Sequence, residues 1–142
     1  MLLSSLKNIT EIKMYKFSEK SLKLIAECHP DLQRLLHEVI KVMDISILIA
    51  YRNEKDQNDA YNKGASKLKY PESKHNKIPS LAVDIAPYPI DFKDLSSFYF
   101  LAGIISAKAE QLGIKVRWGG CWRCDNKFKE NDFQDLVHFE LS

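Results

Sequence analysis

Apolar residues fall in short blocks along the chain, and the spacing inside each block predicts an element. Leu32, Leu35, Leu36, Val39, Ile40 and Met43 recur at helical spacing behind Pro30, a residue suited to a first helical turn. Ahead of them, Ser18 is placed to cap a shorter helix carrying Leu22, Ile25 and Ala26. A longer helix is expected behind Asp91 or Asp94, where Phe98, Leu101, Ala102, Ile105, Ala109 and Leu112 share one face and Gly113 supplies the stop. The polar stretch from Asn53 to Lys63 suits a further helix, ended by Gly64.

The β-branched run from Ile45 to Ala50 reads as a strand, as do Leu81 to Ala86, Ile114 to Trp118 and Leu136 to Leu141. Residues 65–80, with Pro71 and Pro79, and residues 119–132 read as polar loops. Helices and strands are mixed without regular alternation. That predicts an α+β fold with a small, mostly antiparallel sheet flanked by helices. Residues 1–14 carry little pattern and read as an N-terminal extension to a single domain over 15–142.

Two of these strands contain a polar residue where an apolar core would not place one. Asp84 interrupts Leu81-Ala82-Val83-Asp84-Ile85-Ala86, and His138 interrupts Val137-His138-Phe139-Glu140-Leu141. Strand side chains alternate between faces. Val83 and Ile85 are therefore expected on the core side, and Asp84 opposite them between the small Ala82 and Ala86. Val137, Phe139 and Leu141 are likewise expected to face the core, with His138 and Glu140 turned away. His75 stands in the polar loop Ser73-Lys74-His75.

Two imidazoles and a carboxylate are a common donor set for catalytic zinc, leaving a fourth position for water. Taken singly, a histidine at a strand edge is more often structural, and Asp84 alone suits a buried hydrogen-bonding acid. Composition does not join residues so far apart.

Composition narrows the partners. The chain has 142 residues, 45% of them hydrophobic and 28% charged, which is ordinary for one globular domain. A net charge of +2, with lysines spread along the chain, does not argue for nucleic acid. Lys63, Lys67, Lys69, Lys74 and Lys77 do gather around His75, a placement that suits an anionic peptide equally well. No apolar run is long enough to span a bilayer, so no stable membrane association is expected. Met1 to Tyr15 lacks the compact apolar stretch of a secretory signal, so synthesis in the cytoplasm is expected. A monomer is the default.

Three cysteines do not describe a disulfide framework. Cys121-Trp122-Arg123-Cys124 has the spacing of half a zinc site or of a redox pair. Its only distant complement is Cys28-His29, and it sits in a loop after Gly119-Gly120, not at the start of a helix.

The three polar residues are joined by a resemblance. Ser73-Lys74-His75-Asn76, followed by Pro79-Ser80-Leu81-Ala82-Val83-Asp84-Ile85-Ala86-Pro87, closely resembles the metal-binding segment of the M15 zinc peptidases. That group holds D-alanyl-D-alanine carboxypeptidases and L-alanyl-D-glutamate endopeptidases, phage endolysins among them. Asp135-Leu136-Val137-His138-Phe139-Glu140-Leu141 is similar to the second motif of the group, an acid three residues before the last histidine. Leu112-Gly113-Ile114, Arg117-Trp118-Gly119-Gly120 and Tyr51-Arg52 with Gln57 are similar as well, in the same order over residues 15–142. The chain departs from the pattern in a longer His-to-Asp spacing, in Tyr51, and in Cys121 where an acid is usual.

The resemblance implies a DD-peptidase-like (Hedgehog-like) fold and zinc held by His75, Asp84 and His138. It implies Asp135 as the general base and Arg52 as the group that stabilises the oxyanion. Asp135 and His138 can both reach one metal only if the chain bends near Leu136. Ser73 is expected to bond substrate or to orient His75, Glu140 to support His138 from behind, and Gln57 to order its own helix.

The implied activity is hydrolysis of a peptidoglycan stem-peptide amide, with the L-alanyl–D-glutamate bond as first choice. The alternatives are a D-alanyl-D-alanine carboxypeptidase and a non-catalytic metal- or wall-binding module; Asp135 together with Arg52 favours an enzyme. Action on the cell wall without a signal would require another way out, such as a phage-made pore.

Overall fold

The computed structural model describes residues 13–122 and 135–142. All of the expected N-terminal extension except its last two residues lies outside that range, as does Cys124 of the Cys-x-x-Cys spacing. In chain order the described elements are α1 (Glu19–Ala26), α2 (Pro30–Val39), β1 (Ile45–Ile49), α3 (Glu54–Asn62), a 3-10 turn (Lys74–Asn76), β2 (Ala82–Pro87), α4 (Leu95–Leu112), β3 (Val116–Trp118) and β4 (His138–Leu141).

The helix boundaries follow from local chemistry. Ser18 Oγ accepts the Ser21 N–H ahead of α1, and Asn53 Oδ1 accepts the Asp56 N–H ahead of α3. Pro30 opens α2 while His29 Nδ1 accepts the Asp31 N–H. Of the two aspartates considered for α4, Asp94 is the cap, accepting from Ser97. Gly113 ends that helix at φ +70°, a left-handed conformation that a Cβ would strain.

The strands form one sheet in the order β1-β2-β4-β3, with every neighbouring pair antiparallel. The α+β expectation is met. Pairing of Ile47 with Ile85, Val83 with Phe139, and Phe139 with Trp118 fixes which face meets the core. There these side chains pack with Ile25 of α1, Leu32, Leu35, Leu36 and Val39 of α2, and Leu101, Ile105 and Ala109 of α4. The Ser21 hydroxyl accepts the Ile47 N–H at 3.1 Å, so α1 covers part of the outer edge of β1.

Two expectations about the strands need correction. The third strand starts at Val116, because the Ile114 N–H closes α4 by bonding the Ala109 carbonyl at 2.9 Å. The last strand starts at His138, because residues 135–137 form a turn in which the His138 N–H donates to the Asp135 carbonyl. Val137 therefore does not face the core; it lines a cleft on the opposite side. All six residues of β2 are buried. The core covers one face, and part of the polar 65–80 segment covers the other.

Candidate metal centre and its cleft

The register that sends Val83 and Phe139 to the core sends their neighbours to the opposite face. There Asp84 of β2 sits directly across from His138 of β4. His75 comes to the same place from the 3-10 turn. Ser73 Oγ accepts the His75 N–H, and the Ser73 N–H donates to Asn76 Oδ1, a reciprocal cap that fixes the turn. The turn docks on the chain after β1 through the Arg52 N–H, which donates to the His75 carbonyl at 2.8 Å.

Three donor atoms converge. His75 Nε2 lies 3.1 Å from Asp84 Oδ1 and 3.1 Å from His138 Nδ1, and the latter lies 3.2 Å from the same oxygen. The other nitrogen of each ring is committed elsewhere. His75 Nδ1 donates to the Ala50 carbonyl at 2.7 Å, and His138 Nε2 donates to Glu140 Oε1 at 2.8 Å. These partners assign the tautomers. Both neutral rings then aim a lone pair at one point that also faces a carboxylate oxygen. Such a cluster repels itself unless a cation sits inside it.

A tetrahedral ion about 2.0–2.1 Å from each donor requires donor separations of about 3.3 Å. The observed triangle, 3.1 to 3.2 Å on a side, is close to that. His75, Asp84 and His138 are therefore a group able to hold a metal ion. All three are buried, at 2%, 6% and 7% exposure.

Without a metal, a proton is the available cation. Burial works against a charge on His138, but hydrogen bonds to Asp84 and Glu140 outweigh it and raise its pKa to about 9. Burial also opposes ionisation of Asp84, yet the bonds from His138 and His75 hold its carboxyl well below the usual range.

Glu140 shares the site face and is buried, lying across from the small Ala82. Its Oε1 takes the His138 proton donor, while its Oε2 faces Arg117 at 3.0 Å and Lys74 at 3.6 Å. Burial alone would raise Glu140, but the His138 bond and the Arg117 charge bring it below its ordinary value.

Asp135 lines the same cleft. Burial, and after it the Asp84 charge, push its pKa above the ordinary aspartate value. Trp118 and the two glycines that follow it anchor the turn between Asp135 and His138. Trp118 Nε1 donates to the Leu136 carbonyl at 2.8 Å, the Asp135 N–H to the Gly119 carbonyl at 2.9 Å, and the Gly119 N–H to the His138 carbonyl at 2.8 Å. A Cβ on Gly119 would overlap the Asp135 carbonyl, and one on Gly120 would overlap the Trp118 ring.

Arg52 reaches the centre from the β1 edge. It is 3.9 Å from Asp84 Oδ2 and donates to Gln57 Oε1 at 3.1 Å. Gln57 does more than order its own helix. Fully buried, it also accepts from Asn76 and donates to Ser66 Oγ and the Leu68 carbonyl. It thus ties Arg52 to the 3-10 turn and to the cleft wall at 66–68. A glutamine three residues into a cap-defined polar helix was the available hint; its partners lie in segments whose path the sequence does not reveal.

The cleft has a volume of about 590 Å³, and Arg52, Ser73, Lys74, Arg117, Trp122 and Asp135 line it alongside the three donors. Of the clustered lysines only Lys67 and Lys74 line it; Lys69 lies over the Tyr61 ring and Lys77 donates to the Pro71 carbonyl. Cys28 and His29 take no part. The Cys28 thiol is buried, donates to the Leu24 carbonyl and is pushed by burial to a pKa of about 12, and His29 caps α2.

The profile of a family described as phage L-alanyl-D-glutamate peptidase matches residues 13–142. The chain belongs to that family. Its relatives include the L-alanyl-D-glutamate peptidase of Escherichia phage T5, 30% identical over 121 residues, a match spanning 82% of this chain and 88% of that one. Among solved structures, the Serratia marcescens L-Ala D-Glu endopeptidase ChiX superposes with a TM-score of 0.72 at 23% identity, covering 94% of this chain and 95% of that one. That likeness supports the fold. No helix among the described residues is long and apolar enough to cross a membrane.

Proposed function

We propose that this family member hydrolyses the L-alanyl–D-glutamate amide bond of peptidoglycan stem peptides, using zinc held by His75, Asp84 and His138. The observation that carries the reading is the pair of lone pairs aimed at one carboxylate oxygen from two rings whose other nitrogens are already committed. When bound, zinc would acidify a water molecule and polarise the scissile carbonyl.

The chain's own residues do the rest. Asp135 takes a proton from the attacking water and delivers it to the leaving amine. Its raised proton affinity makes it a stronger base than an ordinary aspartate. Arg52, held by Gln57, stabilises the negative charge that grows on the carbonyl oxygen. Glu140 holds the proton of His138 on Nε2 so that Nδ1 stays free. Ser73 fixes the turn that carries His75, and its place in the cleft wall lets it contact the stem peptide.

Digestion of purified cell walls by the zinc-loaded protein, with products identified by mass, tests this. Stem peptides with a new N-terminal D-glutamate should appear while L-alanine stays on the glycan. Release of free D-alanine alone would replace the endopeptidase with a carboxypeptidase.

A further inference from the structure

The cleft has two basic flanks, and the strand order separates them. Arg52 follows β1 at one edge of the sheet, and Arg117 lies on β3 at the other, with Asp84 and His138 between. Arg52 is engaged by Gln57 and Asp84. On the opposite flank Arg117 and Lys74 share a single oxygen, Glu140 Oε2, while Oε1 is taken by His138. At Glu140 one carboxylate therefore faces two cations, although Glu72 and Asp135 also line the cleft.

That excess is open to the cleft. The side chains of Arg117 and Lys74 are 42% and 34% exposed, and both line it. A guanidinium carries five N–H donors and an ammonium three. Glu140 takes one donor of Arg117; Glu140 and the Leu141 carbonyl are the partners of Lys74. Donors remain on both for a further anion. The Arg117 guanidinium is 5.1 Å from the centre of the Trp122 ring, which is itself 5.3 Å from the His138 ring. Trp122 thus places a planar, carboxylate-matching group one side chain away from the proposed metal ligands.

A glutamyl residue on the leaving side of the scissile bond has two carboxyl groups. One continues the peptide, and the other is either a free carboxylate or a carboxamide. We propose that Arg117 and Lys74 bind this second group as a free carboxylate and make the enzyme discriminate against the amidated form. The inference rests on the peptidase reading above and names the substrate class of that same site.

Two synthetic stem peptides, alike except for a carboxylate or a carboxamide on the glutamyl residue, test it with zinc-loaded protein. The carboxylate form should be cleaved with a kcat/KM about tenfold or more higher, chiefly through KM, as expected for one charge-assisted contact. Arg117→Gln and Lys74→Gln should each pull that ratio toward one, and Arg117→Lys should keep more of it than Arg117→Gln. If Arg117 acts only through Glu140 and His138, both substrates slow alike and the ratio stays, which overturns the proposal. Equal cleavage of both peptides by the unaltered protein also overturns it, with the peptidase reading intact. A ratio that moves with Lys67→Gln but not with Arg117→Gln transfers the subsite to the other wall and overturns it too. Cleavage of neither peptide overturns both readings.

Discussion

Replacing Glu140 by glutamine keeps the volume beside His138 and removes the charge. The carboxylate now accepts on both sides: from His138 at 2.8 Å through one oxygen, and from Arg117 at 3.0 Å, with Lys74 nearby, through the other. An amide cannot do both. With its oxygen toward Arg117, its NH2 meets His138 Nε2 and favours the tautomer that carries the proton on Nδ1, the atom facing the metal. With its oxygen toward His138, its NH2 meets two cations that only donate.

Either way zinc affinity should fall by about 10–100-fold, or about 1.4–3 kcal/mol. A second effect opposes the first. Metal-free His138 holds its proton up to a pKa of about 9, partly because of Glu140. At pH 7 that proton competes with zinc by about two decades, and Glu140→Gln weakens the competition. The full loss should therefore show only near or above about pH 9, with a smaller loss at pH 7. Chelator competition at both pH values reads the two affinities. Unchanged affinity at the higher pH would refute the assignment of Glu140 as the group that sets the His138 tautomer.

Asp135→Asn should bind zinc normally yet lose turnover by roughly a hundredfold or more; near-normal turnover would move the base to another group. Gly119→Ala should do similar damage from outside the cleft, because its methyl group collides with the Asp135 carbonyl and with none of the side chains of His75, Asp84 and His138. Zinc content near one equivalent with depressed kcat is the expected result, and full activity would show that the turn yields without moving Asp135.

Two of the three candidate metal ligands were legible because they broke a strand pattern, while His75, in a polar loop, was joined to them only by the resemblance. Asp84 and His138 stand where strand alternation calls for the non-core face, and the register places them opposite one another. The bend near Leu136 followed from asking Asp135 and His138 to reach one point, and the chain does turn there. What escaped was set by tertiary contacts. Val137 resembles a core residue until the turn diverts it into the cleft wall. Ile114 resembles the start of a strand until its N–H is spent on closing α4. Apart from its bond to Arg52, five positions away, the contacts of Gln57, like those of Gly119 and Trp118 to the Asp135–His138 turn, reach residues nine or more positions away, and no local period encodes those.

The charge arrangement also predicts how metal removal and pH act together on stability. The core lies on one face of the sheet and the donor cluster on the other, so the metal-free protein should still fold. Its cluster is then held by the His138 proton. Relative to an unfolded value of 6.5, the folded pKa is raised to about 9. The stabilisation from that proton is fully present below 6.5 and is lost as pH rises through about 9. Its size is at most about 3 kcal/mol for this buried ring. Above that range two neutral rings and a carboxylate face one another with nothing between them. In the loaded protein the metal takes the place of the proton, so this loss does not occur. The Tm gap between zinc-loaded and chelator-treated protein should therefore widen steadily from pH 6.5 to about 9 and level off beyond. A gap that stays constant or narrows over that interval would mean that the cluster does not exchange a proton for the metal, and that His138 is not the group that carries the proton in its absence.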